Sequence, residues 1–401
     1  MLRHLLKLTW KRKNRNLLLS AEILLAFVVV FAIAAIGVRY WQLYRMPLGF
    51  QYQDVWAVQL LPQQERDLTL AEGQPQRILQ ALQAMPQVEQ AAFATFTPFS
   101  NATWTSTFKA PGGGAEVNAA LTEASDKYWS TMGMQLAQGR WPSEEDEGAA
   151  AMPAVITPGM AQALFGDKPP LGREFSANGG ERGAEGDHFK VVGVLQDFRN
   201  KGEFMAPRPY VLYRHSLVSG KRMLRSIVVK VRPGTSRAFE ADLLRQLKQV
   251  RNDWGFNIAP LSELRASMFD EQLIPLKVLA VIAVFLLAMV FFGLFGVLWQ
   301  NTTRRIPEIG LRRALGAASG NIYSQIIAEQ MLLSTLAMLA GLVLLLQLPL
   351  TGILGEALNW QVFGGATALS MLLIYLLSLL CSLYPGWRAS RLQPAAALHY
   401  E

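Results

Sequence analysis

Val278–Leu298, VLAVIAVFLLAMVFFGLFGVL, runs for 21 residues without a polar side chain. As a helix rising about 1.5 Å per residue it crosses a hydrocarbon core about 30 Å thick. Outward from it lie three more apolar stretches: Leu17–Val38, Ile326–Leu346 and Ala366–Leu383. The first is broken by Ser20 and Glu22, the second by Glu329, Gln330, Ser334 and Thr335. The last is shorter but flanked by Trp360, Tyr384 and Trp387, residues suited to a membrane interface. Composition agrees: of 401 residues 51% are hydrophobic and 17% charged, with a mean hydropathy of +0.20. These proportions are too apolar for a water-soluble chain and exclude intrinsic disorder.

A cleaved signal peptide is the rival reading of Leu17–Val38, since residues 1–16 are basic and Ala32-Ile33-Ala34 mimics a cleavage site. The run is longer than a signal's apolar core and carries Glu22, so a retained anchor is expected. Arg3, Lys7, Lys11, Arg12, Lys13 and Arg15 precede the first span, and Arg304, Arg305, Arg312 and Arg313 follow the second. The loop between the last two spans has Glu356 and no basic residue. The bias of basic residues toward the cytoplasm then puts both termini inside. The expected layout is a cytoplasmic N-terminus at 1–16 and spans at 17–38, 278–298, 326–346 and 366–383. A large outer segment fills 39–276, a cytoplasmic loop 299–325, a short outer loop 347–365 and a cytoplasmic tail 384–401.

The outer segment holds 25 basic and 25 acidic residues, so the net charge of +8 resides in the rest of the chain. That excess reports topology, and no nucleic-acid partner is expected. Within it Asp54–Leu61, Phe189–Leu195, Pro209–Tyr213 and Ser226–Val231 read as strands. Pro75–Met85, Pro158–Phe165 and Ser236–Val250 read as helices, predicting mixed α+β layers. No serine-nucleophile, zinc or phosphate-loop motif occurs, so neither catalytic residue nor metal is expected. Glu144–Glu147 reads as a solvated acidic loop, and His188 and His215 as ordinary core or surface residues. Leu261–Pro275 places Leu261, Leu264, Met268 and Leu273 roughly on one face; a helix there would extend the second span outward as a stalk.

The most informative stretch is Arg304–Asn321, RRIPEIGLRRALGAASGN. Pro307 suits a first helical turn and Glu308 complements its dipole, while Gly316 and Gly320 suit a stop. Ile309, Leu311, Arg312 and Leu315 would make a short, rigid projection, and Ala314 and Gly316 would let another backbone approach.

Arg304 or Arg305, Glu308-Ile309-Gly310-Leu311 and Arg313-Ala314-Leu315-Gly316-Ala317 resemble the coupling-loop pattern of the permease family that includes MacB and FtsX. Tyr384–Ala389 is similar to that family's ending, and Val191–Phe198 and Phe165–Gly172 to its periplasmic core. The resemblance implies four transmembrane helices, one before and three after a large periplasmic α+β domain of MacB core type. Pro307 stands where the family has a polar residue, so the helix is expected to begin later here.

By the same resemblance, Glu308, Ile309, Gly310, Leu311, Arg312, Arg313, Ala314, Leu315 and Gly316 form an ATPase-coupling helix. Function follows as the permease subunit of an ATP-driven exporter of antimicrobial, peptide or lipid-like substrates, itself no enzyme. A lipoprotein-releasing permease and an FtsX-like envelope regulator are alternatives. ATP and Mg2+ would sit on a separate cytoplasmic ATPase subunit in two copies, with no cofactor on this chain. A second permease protomer, identical or paralogous, completes the assembly, and an exporter adds a periplasmic adaptor and outer-membrane channel. Glu22 and Glu329 are the acids within the spans. Both fall near the cytoplasmic side, so a structural placement is expected ahead of a role in coupling or dimer contact.

Overall fold

The computed structural model describes residues 13–63, 73–111, 116–177, 187–216 and 224–390, which fall into two compact units. In chain order the elements begin with α1 (Lys13–Tyr44), β1 (Val55–Leu61), α2 (Gln74–Gln83), β2 (Val88–Ala94), β3 (Trp104–Lys109) and β4 (Val117–Ala124). Next come α3 (Tyr128–Thr131), β5 (Leu136–Gly139), β6 (Met152–Ile156), α4 (Pro158–Phe165), β7 (Glu174–Ala177), β8 (His188–Leu195) and β9 (Tyr210–Arg214). Then follow β10 (Ser226–Val231), α5 (Phe239–Val250), β11 (Gly255–Pro260), α6 (Leu261–Thr303), α7 (Ile306–Ala314), α8 (Ser319–Leu345), α9 (Gln347–Thr351) and α10 (Trp360–Ser390).

The unit spanning Leu43–Leu273 is built on one continuous eleven-stranded sheet with two regions. Strands β1 and β11 each pair antiparallel with neighbours in the order β11-β1-β10-β2. Helix α2 therefore connects the parallel strands β1 and β2 across β10, and α5 connects β10 and β11 across β1. Two split βαβ units thus interleave into a four-stranded sheet. The period-two pleat sends Trp56, Val58, Ile227, Val229, Ala91 and Phe93 to a face covered by Ile78 and Leu82 of α2 and Phe239, Leu243 and Leu247 of α5. The intervening residues Val55, Ala57, Val228, Ala92 and Ala94 join Tyr128, Trp129, Leu261 and Met268 in a second core. Because these strands are covered on both faces they read as apolar runs in the sequence.

Between β2 and β10 the chain inserts a closed ring of strands. Strand β4 pairs with β3, β3 with β7, β7 with β8, β8 with β6, β6 with β9, and β9 returns in parallel to β4. Closure leaves no free edge in that ring. Its core stacks Phe108, Phe175, Phe189 and Tyr213 under Met160, Leu164 and Phe165 of α4. Glu123 and His215 are both buried here and paired at 2.8 Å, with the Tyr213 hydroxyl donating to the same carboxylate at 3.4 Å.

Arg199 ties this unit together where the chain enters it. Its guanidinium is 1% exposed and donates to the carbonyls of Leu43 (2.9 Å), Pro47 (2.9 Å), Glu203 (2.7 Å) and Met205 (3.3 Å), and also to Met46. Burial lowers its pKa from the ordinary value, opposed by the charges of Glu203 and Asp197. Gly49, at φ +84°, sits where a Cβ would overlap the Asp197 carbonyl, so the chain after α1 passes close to this loop. Glu203 pairs with Arg265, and the Lys201 carbonyl accepts from Gln272 at 2.6 Å. The start of α6 is therefore fixed to the same loop, and Tyr44, Phe204 and Phe269 stack beside it.

Among the described residues of the other unit, four helices are long and apolar enough to cross a membrane: α1, α6, α8 and α10. Ile23, Phe27 and Phe31 pack with Leu294, Leu298, Met338, Val362 and Ile374. Gly341 makes room for Phe27, and Gly365 for Val38, where an added Cβ would crowd the neighbouring side chain. Hydroxyl pairs Ser334–Ser378 and Thr335–Tyr375, each at 2.8 Å, join α8 to α10. Small residues and paired hydroxyls are what helix association in lipid requires. Trp299 near the end of α6 stacks on Tyr384 of α10 with centroids 5.7 Å apart, and Arg388 lies 4.7 Å from the Trp299 ring. Pro275 is accommodated inside α6.

Replacing Arg199 with Met removes the donors to all five carbonyls. The expected loss is about 3 kcal/mol of stability, read by thermal unfolding of the purified full-length chain. An unchanged melting temperature would show that the carbonyls find other partners.

Candidate functional site

Helix α7 is short, yet each end is specified. Ile309 N–H donates to the Arg305 carbonyl at 2.9 Å, closing the first turn around Pro307, whose missing N–H costs nothing there. The helix begins at Ile306, so the later start expected from Pro307 does not occur. At the other end Gly316 adopts φ +92°, and the Ala317 N–H reaches back to the Arg312 carbonyl at 3.0 Å. That left-handed cap stops the helix and turns the chain into α8.

The inner face of α7 carries Ile309 and the adjacent Gly310, both buried. Ile309 meets Ile322 of α8, with Ala317 and Ile326 packed against the pair. Around this contact runs a line of charges. Glu308 accepts from Arg312 at 2.7 Å, one turn along the helix. Arg312 also donates to the Gln325 carbonyl oxygen at 3.0 Å. The Gln325 amide donates to Glu329 Oε1 at 3.0 Å, and Arg305 donates to Glu329 Oε2 at 2.6 Å. The recess between the helices is about 20 Å³, too small for a ligand.

The outer face differs in character. Leu311 is 55% exposed and Leu315 80%, with Ala314 and Gly316 exposed beside them. The Arg313 side chain lies outside the described residues. The structure thus divides eight of the nine candidate residues: Ile309, Glu308 and Arg312 face α8 or its polar border, Gly310 is buried beside them, and Leu311, Ala314, Leu315 and Gly316 are presented outward.

Of the two acids, Glu329 joins this site and Glu22 does not. Glu22 lies on α1 against Gly293 of α6, where any side chain would displace its carboxylate. In the sequence Arg305 stands out as a topology signal and as an alternative to Arg304 in the coupling-loop pattern, whereas Gln325 carries no mark. The signal that identifies them is spacing: Gln325 and Glu329 stand four apart on α8, and Arg305 and Arg312 seven apart along the loop. Among the described residues no group of three or more His, Cys, Asp or Glu is placed to hold a metal.

Residues 23–246 match the family described as MacB-like periplasmic core domain, and residues 280–394 match the FtsX-like permease C-terminal family. The chain belongs to the MacB/FtsX-like permease family. Similar proteins include the macrolide export ATP-binding/permease protein MacB of Bdellovibrio bacteriovorus, 27% identical over 303 residues that make up 69% of this chain and 45% of that protein. MacB of Neisseria gonorrhoeae is 27% identical over 259 residues, 63% of this chain and 38% of the relative. This chain therefore spans less than half the length of these MacB relatives. An uncharacterized ABC transporter permease of Bacillus subtilis, YknZ, is 24% identical over 302 residues, 71% of each chain. The periplasmic region of MacB from Actinobacillus actinomycetemcomitans superposes with a TM-score of 0.40 at 16% identity, covering 57% of this chain and 97% of that one. This permease is a membrane component of the ABC transporter class, with an extracytoplasmic α+β domain.

The two faces of α7 make a labelling prediction for this permease. In a background with Cys381 replaced by Ala, Leu315→Cys should react quickly with a maleimide in detergent and Ile309→Cys slowly. Equal rates would show that Ile309 is not held against α8.

Proposed function

We propose that this chain couples ATP hydrolysis to movement of its extracytoplasmic domain, and that α7 is the element on which the ATPase acts. The observation that carries the reading is the two-faced helix between two spans: clamped to α8 inside, apolar outside. Exposed leucines at positions four apart present a ridge suited to a groove in a partner protein. A solvated polar helix would serve a simple connection equally well, so the apolar ridge calls for an occupant.

No stretch of the 401 residues has the spacing of a phosphate-binding loop. ATP and Mg2+ are therefore assigned to nucleotide-binding domains outside these residues, two per assembly, facing two permease protomers. The excess of Lys and Arg flanking the spans supports cytoplasmic termini and a cytoplasmic α7. In this reading ATP-driven closure of the ATPases displaces α7, and the spans carry that displacement to the Leu43–Leu273 unit. The cargo is an antimicrobial, peptide or lipid-like compound, in line with the macrolide export for which the MacB relatives are named. An adaptor and an outer-membrane channel would complete the route.

Replacing both Leu311 and Leu315 with Asp should abolish co-purification of the ATPase with the tagged chain while membrane insertion stays normal. Retention of the ATPase by that double variant would remove α7 as its docking element.

A further inference from the structure

The charged line between α7 and α8 has a centre. Both oxygens of the Glu329 carboxylate are in use: Oε2 takes Arg305 at 2.6 Å and Oε1 takes the Gln325 amide at 3.0 Å. Gln325 in turn holds Arg312 with its carbonyl oxygen at 3.0 Å. One side chain therefore gathers the residue just before α7 and, through Gln325, the second turn of α7. The orientation of Gln325 is fixed by its partners, because its oxygen must accept from a guanidinium and its nitrogen donate to a carboxylate.

Shelter decides which bond matters. The side chains of Glu308 and Arg312 are 40% and 41% exposed, so their pair is screened by water and contributes little. Those of Glu329 and Arg305 are 17% and 23% exposed, and their attraction is correspondingly less screened. The apolar contact between α7 and α8 is small, Ile309 on Ile322 with Ala317 and Ile326 beside it, and carries little direction of its own. A hydrogen-bonded charge pair supplies that direction.

We infer that Glu329 is the positioning residue through which displacement of α7 reaches the third span, with Arg305 and Gln325 as its links. The inference rests on the docking reading above. Helix α7 and the first turns of α8 then move as one piece, and the span receives a push along its own axis.

The test uses the full chain with its ATPase in lipid nanodiscs, Cys381 replaced by Ala, and spin labels at Ala314 on α7 and Leu339 on α8, both exposed. The wild type should give one narrow distance distribution, with and without ATP. Glu329→Gln should broaden it and reduce ATP hydrolysis by the complex about tenfold, while the ATPase remains bound. The reversed pair Arg305→Glu with Glu329→Arg should restore the narrow distribution. A narrow distribution in Glu329→Gln, or no recovery in a reversed pair that accumulates normally, would overturn the inference. Should the reversed pair fail to accumulate, the doubly neutral Arg305→Gln with Glu329→Gln must match Glu329→Gln alone; additive broadening would also overturn it. Loss of the ATPase from the wild type would instead overturn the docking reading, which the distance measurement does not touch.

Discussion

A helix of nine residues strung between two membrane spans has no stability of its own, and its contact with α8 decides whether it is a connector or a tool. Ile309 on Ile322 supplies the apolar part, and the bonds among Arg305, Arg312, Gln325 and Glu329 supply direction. With that face occupied, Leu311 and Leu315 have nowhere to turn but outward. An exposed apolar ridge on a fixed support is the physical content of a docking element.

In the Leu43–Leu273 unit a different constraint operates. An interleaved four-stranded sheet carries, between β2 and β10, a closed six-strand ring, and the two meet at Ala94 and Ala124. The ends of the unit are secured by Arg199, whose buried charge is met by carbonyls from the segment after α1 and from its own loop. Since the same loop is bonded to Arg265 and Gln272 of α6, the chain's entry and exit are joined at one place. A force arriving at either would be felt at both.

Much of this was legible in residues. The four long apolar helices follow from length and hydropathy, because lipid tolerates no unsatisfied backbone and leaves few alternatives. Strands such as Ser226–Val231 declared themselves as apolar runs, and Leu261–Pro275 showed the face that now buries Leu261 and Met268. Alanine-rich β4 and short β6 carried no such pattern, since small side chains in a crowded ring need no bulk. The parallel return of β9 to β4 was illegible because pairing between residues about 90 apart leaves no local trace. In the site, Pro307, Glu308 and Gly316 marked the helix, whereas the partner of Glu329 lies 24 residues away and only the packed helices reveal it.

We propose that the outer face of α7 meets an ATPase. A photo-activated cross-linker placed at Leu315 and triggered in native membranes, with adducts identified by mass spectrometry, tests it most directly. Adducts to a nucleotide-binding domain, in residues lining a groove on its surface, are expected. Adducts confined to lipid, or to this chain's own membrane helices, would contradict the proposal.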